Sequence, residues 1–203
     1  MTWDTLAEPL LAILIGYGLG SIPFGLLLTR AAGLGDVRNI GSGNIGATNV
    51  LRTGRKGLAA ATLILDAAKG AAAVLLVQLI WPAMPLLPPL AGLAAFLGHL
   101  FPVWLLFKGG KGMATLIGVV AALHWPVAIA VGVVWIAAFL LTRYASLGSM
   151  VGAVAAPVAA FFLGRIDLAI LFTGFALLVL WTHRANIGRL MRGAEPKVGR
   201  SAG

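Results

Sequence analysis

The sequence predicts an all-α polytopic membrane protein of seven transmembrane helices, with the N-terminus outside and the C-terminus in the cytoplasm. Three observations carry that prediction. Of 203 residues, 60% are hydrophobic and only 10% are charged, whereas soluble domains run near a quarter charged. The apolar content is spread along the whole chain and is not gathered into a cleavable leader. The basic residues cluster between apolar stretches, and they fall on one side of the membrane once the stretches are counted.

A full crossing takes ~20 apolar residues, and a tilted or thin one takes fewer. On that basis the spans are 9–29, 57–80, 89–107, 113–125, 126–142, 149–163 and 166–182. Charge decides the boundary at His124-Trp125-Pro126. With it, thirteen of the fifteen basic residues are cytoplasmic, Arg165 alone is outside and Lys69 lies within a span. Fusing residues 113–142 into one kinked helix would divide them eight against six, which the positive-inside rule disfavours. Asp4 and Glu8 suit an outer N-terminus, and Trp81 and Trp125 fall at span ends, where aromatic belts form. The chain reads as a single integral membrane domain, 1–203, with 193–203 a flexible cytoplasmic tail. Gly16-x-x-x-Gly20 in the first span, and Gly148, Gly152, Ala156 and Ala160 in the sixth, read as small-residue stripes for close helix packing.

Composition also narrows the function. A net charge of +9 suits nucleic acid, anionic lipid or an anionic substrate, and nothing else in the sequence favours nucleic acid. The absence of cysteine excludes disulfides, thiolate catalysis, iron–sulfur clusters and cysteine-based zinc sites. His99, His124 and His183 have no neighbours of ligand type, so no metal is predicted, and there is no cofactor fingerprint. Glycine, at 27 residues, is about twice as frequent as usual. Its surplus lies partly in the polar segments that the topology puts on the cytoplasmic face.

The most informative of these segments runs Asn39-Ile-Gly-Ser-Gly-Asn-Ile-Gly-Ala-Thr-Asn49, followed by Arg52 and the pair Arg55-Lys56. Glycines let successive N–H groups face one concavity; Ser42, Asn44, Thr48 and Asn49 add donors and Arg52 a bidentate fork, so the segment predicts an anion cradle. Phe107-Lys-Gly-Gly-Lys-Gly112 leads into the fourth span and sets Lys111 beside a helix N-terminus, a second place suited to phosphate. His99 is placed about two turns from the cytoplasmic end of the third span, as a helix-to-helix hydrogen bond or an acid/base group. His183, Asn186 and Arg189 share a helical face after the seventh span. Arg143 and the hydroxyls of Ser146 and Ser149 sit between the fifth and sixth spans, with either serine a candidate cap for the sixth helix. Asp66 and Lys69, spaced by three within the second span, read as a structural ion pair.

Taken in order, Gly20-Ser-Ile-Pro-Phe-Gly25, residues 36–52, Leu65-Asp-Ala-Ala-Lys-Gly70, Gly98-His-Leu-Phe-Pro-Val-Trp104, residues 107–112, Arg143-Tyr-Ala-Ser-Leu-Gly-Ser149 and His183-Arg-x-Asn186 resemble the bacterial acyl-phosphate:glycerol-3-phosphate acyltransferase family. The resemblance covers about residues 16–192. It implies a seven-helix fold with its site at the cytoplasmic surface of the bacterial inner membrane. It also implies transfer of a fatty acyl group from acyl phosphate to glycerol-3-phosphate, giving lysophosphatidic acid. No cofactor is implied. The expected partners are the two substrates, membrane lipids and functional coupling to an enzyme that supplies acyl phosphate. The family's functional positions fall on Ser42, Thr48, Asn49, Arg52, His99, Lys111, Ser149, His183 and Asn186. We take Ser42, His99 and Asn186 as the catalytic set, and Asn44, Thr48, Asn49, Arg52, Lys111, Arg143, Ser149 and His183 as substrate-binding. The position five after His99 is Trp104 and not the aspartate of thioester-dependent acyltransferases, which speaks against acyl-CoA as donor.

Two other readings use the same residues. An organic-phosphate transporter would want cationic broken-helix sites, but the outer loops offer only Arg165 and Asp167 as polar groups. A hydrolase using Ser42 with His99 would need a third group to orient the histidine, and no carboxylate is evident in the sequence beside His99. For the same reason a phosphate oxygen of the donor is the favoured acceptor of the hydroxyl proton, with His99 as the alternative and Arg38 or Arg189 as further cations for the two phosphates.

Overall fold

The computed structural model describes residues 4–199, with side chains from residue 6 onward. Among the described residues there are helices, turns and loops and no strand. The Asp4 side chain and the tail from Arg200 on lie outside them. The chain forms two compact units, which meet in sequence between Leu123 and His124.

The first unit holds α1 (Asp4–Gly20), α2 (Phe24–Ala31), α3 (Ala47–Val50), α4 (Lys56–Ile80), α5 (Leu87–Leu100) and α6 (Met113–Leu123). α1 and α2 divide at Ser21-Ile22-Pro23, because proline lacks an N–H and drives the residue before it out of helical geometry. The carbonyls freed at this break are satisfied from other helices. Trp104 Nε1 donates to Ser21 O at 2.7 Å and Lys69 Nζ to Ile22 O at 2.6 Å. The Gly16/Gly20 stripe does what its spacing predicts: a side chain at either position would collide with the Ala91 or Ala95 carbonyl, so α1 lies backbone to backbone on α5. Gly70 and Gly118 seat α4 and α6 on each other in the same way.

The second unit holds α7 (Trp125–Thr142), α8 (Ala145–Phe162), α9 (Ile166–Thr182) and α10 (Arg184–Met191). Its first helix starts where charge placed the boundary, with His124 extended (φ −161°, ψ 89°) and Pro126 in the first turn. Gly148, Gly152, Ala156 and Ala160 are all buried on α8, and Gly148 faces the Trp135 carbonyl of α7.

The surface is what a lipid solvent demands. Leu79, Leu86, Leu141 and Phe162 are among many exposed large apolar side chains, while Thr29, Asn49, Asp66, Lys69, His99, His183 and Asn186 are buried. Among the described residues five helical stretches are long and apolar enough to cross a membrane: Leu6–Ala31, Lys56–Ile80, Leu87–Leu105, Trp125–Thr142 and Ala145–Phe162. α9 makes a sixth when joined to α10 through a 59° bend, and α6, at 11 residues, is shorter.

Two boundaries differ from expectation. α5 stops at Leu100 because Pro102 cannot continue it, so His99 sits in its last turn and not two turns inside. Apolar Val103–Leu105 form a separate 3-10 turn. α8 begins at Ala145, four residues before Ser149, so neither Ser146 nor Ser149 caps it. The turn is made instead by Arg143 in a left-handed conformation (φ 64°), and Ser149 Oγ donates to Ala145 O at 2.9 Å.

Candidate active site

In the first unit the 36–55 segment is organised by one buried amide. Asn49 Nδ2 donates to the carbonyls of Val37 (2.8 Å), Ile40 (3.0 Å) and Asn44 (2.8 Å), and its Oδ1 accepts from Ser42 N (3.1 Å) and Ser42 Oγ (3.3 Å). Asn44 Oδ1 accepts from Gly46 N at 2.9 Å. Gly41 and Gly43 are left-handed (φ 55° and 69°), and a Cβ on Gly41 would strike the Arg52 side chain and Asn49 Oδ1. Ser42, Asn49 and Arg52 therefore meet around Gly41.

The cradle differs from the sequence expectation in its donors. The N–H groups of Ser42, Gly43, Gly46, Asn49 and Val50 are taken up inside the segment. What it presents outward is the side chains of Ser42, Thr48 and Arg52, all exposed. Arg38 is also occupied. Its guanidinium grips Asp36 at 2.6 Å, with Arg30 at 2.8 Å on the same carboxylate. The hydrogen bonds from Arg38 hold the Asp36 carboxyl well below its ordinary pKa.

His99 lies at the end of α5, where carbonyls lose their helical partners. The 107–112 loop supplies them: Gly110 N donates to His99 O and Gly109 N to Leu100 O, both at 3.0 Å, while Tyr17 Oη donates to Phe101 O at 2.7 Å. Leu106 and Phe107, left-handed at φ 52° and 60°, turn the chain back over α5. Any side chain at Gly110 would collide with His99 Nε2, so the glycine lets the loop close on the imidazole. Lys111 follows directly, half-buried, at the start of α6 as expected. An apolar cavity of about 290 Å³ lies beside this loop, lined by Tyr17, Leu93, Leu97, Phe101 and Phe107 among others.

Asp66 and Lys69 form the expected pair at 2.7 Å, both buried. The sequence reading missed a third member: His99 Nδ1 lies 3.7 Å from Asp66 Oδ1. A carboxylate does stand beside His99, contrary to the premise on which both the hydrolase and a histidine base were set aside. Trp104, which fills the place of the missing aspartate after His99, instead ties the end of α5 to the α1–α2 break.

In the second unit His183 is buried, its Nδ1 donating to Val179 O at 2.8 Å. Ser149 Oγ accepts from Trp135 Nε1 at 3.3 Å. Asn186 Nδ2 donates to Glu195 Oε1 at 2.6 Å, Ser146 Oγ donates to the same oxygen at 2.7 Å, and Arg189 Nε meets Oε2 at 2.7 Å. Arg189 is thus paired with a carboxylate and is not held in reserve for phosphate. Arg143 is exposed and exchanges hydrogen bonds with Val198, Val198 N donating to Arg143 O at 3.0 Å and Arg143 Nη2 to Val198 O at 3.3 Å. Glu195 escaped the sequence reading, although a lone acid following Arg189 and Arg192 was the available signal. Among the described residues no group of three or more His, Cys, Asp or Glu is placed to hold a metal.

Comparison with known proteins places this arrangement. The family model described as glycerol-3-phosphate acyltransferase matches residues 10–193. A Mesorhizobium japonicum protein named glycerol-3-phosphate acyltransferase is 60% identical over 190 residues, 94% of this chain and 96% of the relative. A Brucella anthropi protein of the same name is 55% identical over 188 residues, 93% of this chain and 92% of the relative. Two crystal structures of PlsY, an integral membrane glycerol 3-phosphate acyltransferase, are similar. The glycerol 3-phosphate form has a TM-score of 0.88 and 38% identity over 94% of this chain and 96% of its own. The lysophosphatidic acid form has a TM-score of 0.86 and 36% identity over 94% and 95%. The chain belongs to the glycerol-3-phosphate acyltransferase family.

Proposed function

We propose that this protein transfers a fatty acyl group from acyl phosphate to the 1-hydroxyl of glycerol-3-phosphate, releasing lysophosphatidic acid and phosphate for phospholipid synthesis. The observation that carries this reading is the likeness, over 94% of the chain, to a PlsY solved in glycerol 3-phosphate and lysophosphatidic acid forms. Those two molecules differ by one acyl group. In this reading the chain is one domain of seven membrane helices in the bacterial inner membrane, its N-terminus outside and its site on the cytoplasmic face, where thirteen basic residues collect.

An acyl phosphate is a mixed anhydride with a good leaving group. The glycerol hydroxyl attacks the acyl carbon, the carbon–oxygen bond to phosphate breaks, and the hydroxyl proton ends on the released phosphate. Holding the two substrates together and offsetting their charges carries much of the rate. Arg52, Lys111 and Arg143 supply that offset. Ser42 and Thr48 bind from the first loop, whose shape Asn44 and Asn49 maintain, while Ser149, His183 and Asn186 serve the glycerol-3-phosphate side. His99 hydrogen-bonds the reacting groups. The acyl tail lies in the apolar cavity beside Phe107. Membrane lipids surround the site, and an enzyme that makes acyl phosphate feeds it.

Purified protein in detergent or lipidic mesophase, given acyl phosphate and labelled glycerol-3-phosphate, should release phosphate and form labelled lysophosphatidic acid, and should not do so with acyl-CoA. If neither product forms while labelled glycerol-3-phosphate crosses a vesicle membrane, the protein is a transporter.

A further inference from the structure

We propose that Asp66 is a positioning residue for His99: its carboxylate takes the imidazole Nδ1–H, which fixes the ring so that Nε2 presents a lone pair toward the 107–112 loop. This rests on the reading that His99 works at the acyl-transfer site. Asp66, Lys69 and His99 are 2%, 5% and 4% exposed, so each polar atom must find its partner inside the protein. Lys69 is held from two sides, by Asp66 Oδ1 at 2.7 Å and by the Ile22 carbonyl at 2.6 Å, with the Phe24 ring 5.8 Å away. The ammonium is thereby fixed and fixes the carboxylate in turn. Asp66 Oδ1, which meets the ammonium on one side, lies 3.7 Å from His99 Nδ1 on another, and Nδ1 is buried without a hydrogen-bond partner.

The protonation pattern follows from that approach. A lone pair on Nδ1 would face the lone pairs of a carboxylate oxygen across 3.7 Å in a dry interior, two acceptors with no donor between them. A hydrogen on Nδ1 turns the same contact into attraction, and a shift of about 0.5–1 Å brings it into hydrogen-bond range. The other ring nitrogen faces Gly110, where only glycine fits. No side chain can stand at that position, so Nε2 is left to the backbone and to whatever the loop receives. Nε2 with a lone pair accepts a hydrogen bond from a hydroxyl, whether the proton then stays on nitrogen or passes to phosphate. An ion pair at spacing three satisfies itself anywhere along α4. Its placement at the level of His99, with the oxygen that meets Lys69 also facing an unpartnered Nδ1, is what a purely structural pair does not require.

Nitrogen NMR of ¹⁵N-histidine protein in detergent reads the state directly, with the His99 signals assigned by their loss in His99→Gln. The expected result is a protonated Nδ1 and a bare Nε2; a protonated Nε2 or a bare Nδ1 overturns the proposal. Kinetics give a second test through Asp66→Leu/Lys69→Met, which removes both charges together. The pair of substitutions should lower kcat by about 100-fold, as loss of a reacting group's orientation does, with KM for glycerol-3-phosphate changed less than about threefold. In the His99→Gln background the same pair should cost less than about threefold, since there is no imidazole left to orient. Equal losses in both backgrounds would make the pair structural and sink the idea. Should the double variant fail to fold, or His99→Gln be inactive, the NMR result decides alone. Full activity in both His99→Gln and His99→Ala would instead remove His99 from the acyl-transfer site, an outcome separate from its tautomer.

Discussion

Replacing Glu195 with alanine tests whether the end of the chain is part of the working enzyme. The carboxylate accepts from Ser146 Oγ at 2.7 Å and Asn186 Nδ2 at 2.6 Å, and pairs with Arg189 at 2.7 Å. Removing a buried donor's acceptor costs ~1–3 kcal/mol. Ser146 falls at the low end, because a helical serine can turn its hydroxyl to the carbonyl one turn back. The Arg189 side chain is 32% exposed, so that ion pair contributes ~1 kcal/mol or less. The sum, about 2–5 kcal/mol, is a large part of ordinary stability and should lower the melting temperature in detergent by roughly 5–15 °C. Phosphate release should fall about 100-fold, because Asn186 loses an anchor in a site where displacement by an ångström costs that much. Glu195→Gln keeps an oxygen for Ser146 and Asn186 and should lose only the Arg189 pair, ~1 kcal/mol. Burial pushes the Glu195 carboxyl up, but the bonds from Ser146, Asn186 and Arg189 outweigh it and hold the value below its ordinary one. Its stabilisation is therefore full above the unfolded carboxyl pKa of ~4.3 and is lost as pH falls through the lower folded value, a limb that Glu195→Gln should lack. The reasoning fails if Glu195→Ala melts within about 2 °C of the wild type and turns over within about threefold.

Gly110→Ala should drive its methyl into the His99 imidazole and cost about 100-fold in kcat. Wild-type turnover from that variant would mean that His99 does not act at this loop. Arg52→Ala and Lys111→Ala should each lower kcat/KM by about 100-fold or more, since truncating a charged contact to phosphate costs 2–5 kcal/mol. Exposed Lys108→Ala should do much less, and equal effects at the two lysines would discard the phosphate role of this loop. Cysteines replacing exposed Arg55, Lys108 or Arg192 should react with an impermeant thiol reagent from the cytoplasmic side, and those replacing Met84 or Asp167 from outside. Labelling of position 192 from outside would exclude seven spans.

How far the sequence could be read depended on what each feature rests on. The helices were legible because lipid demands long apolar runs, and the break at His124 because Pro126 and the charge division agree there. The glycine stripes were legible because spacing alone dictates which backbones can touch. The last turn of α5 was misread, since apolar Val103 to Phe107 continue the hydropathy after Pro102 has ended the helix. In the first loop, composition gave the members of the cluster but not their division of labour. That Asn49 braces the backbone while Ser42, Thr48 and Arg52 face outward depends on five hydrogen bonds with no periodic signature. Asp66 beside His99, and Glu195 beside Asn186, were invisible because each joins segments that no local pattern relates.

These hidden carboxylates share a logic. A site that gathers two phosphorylated substrates has to keep its cations available and its field positive, and a bare carboxylate nearby would oppose both. Asp36 is clasped by Arg30 and Arg38, Asp66 by Lys69 and Glu195 by Arg189. Each acid in this set is neutralised by a neighbour and used as a strut. Asp36 stiffens the start of the first loop, Asp66 stands under His99, and Glu195 holds the tail to Asn186. Arg38 and Arg189, which composition alone would count toward substrate binding, are what makes those struts tolerable. The excess of positive charge in the sequence therefore overstates the number of cations that meet phosphate. Arg52 and Arg143, neither of which the structure pairs with one of these three carboxylates, are the ones whose removal should be felt in catalysis first.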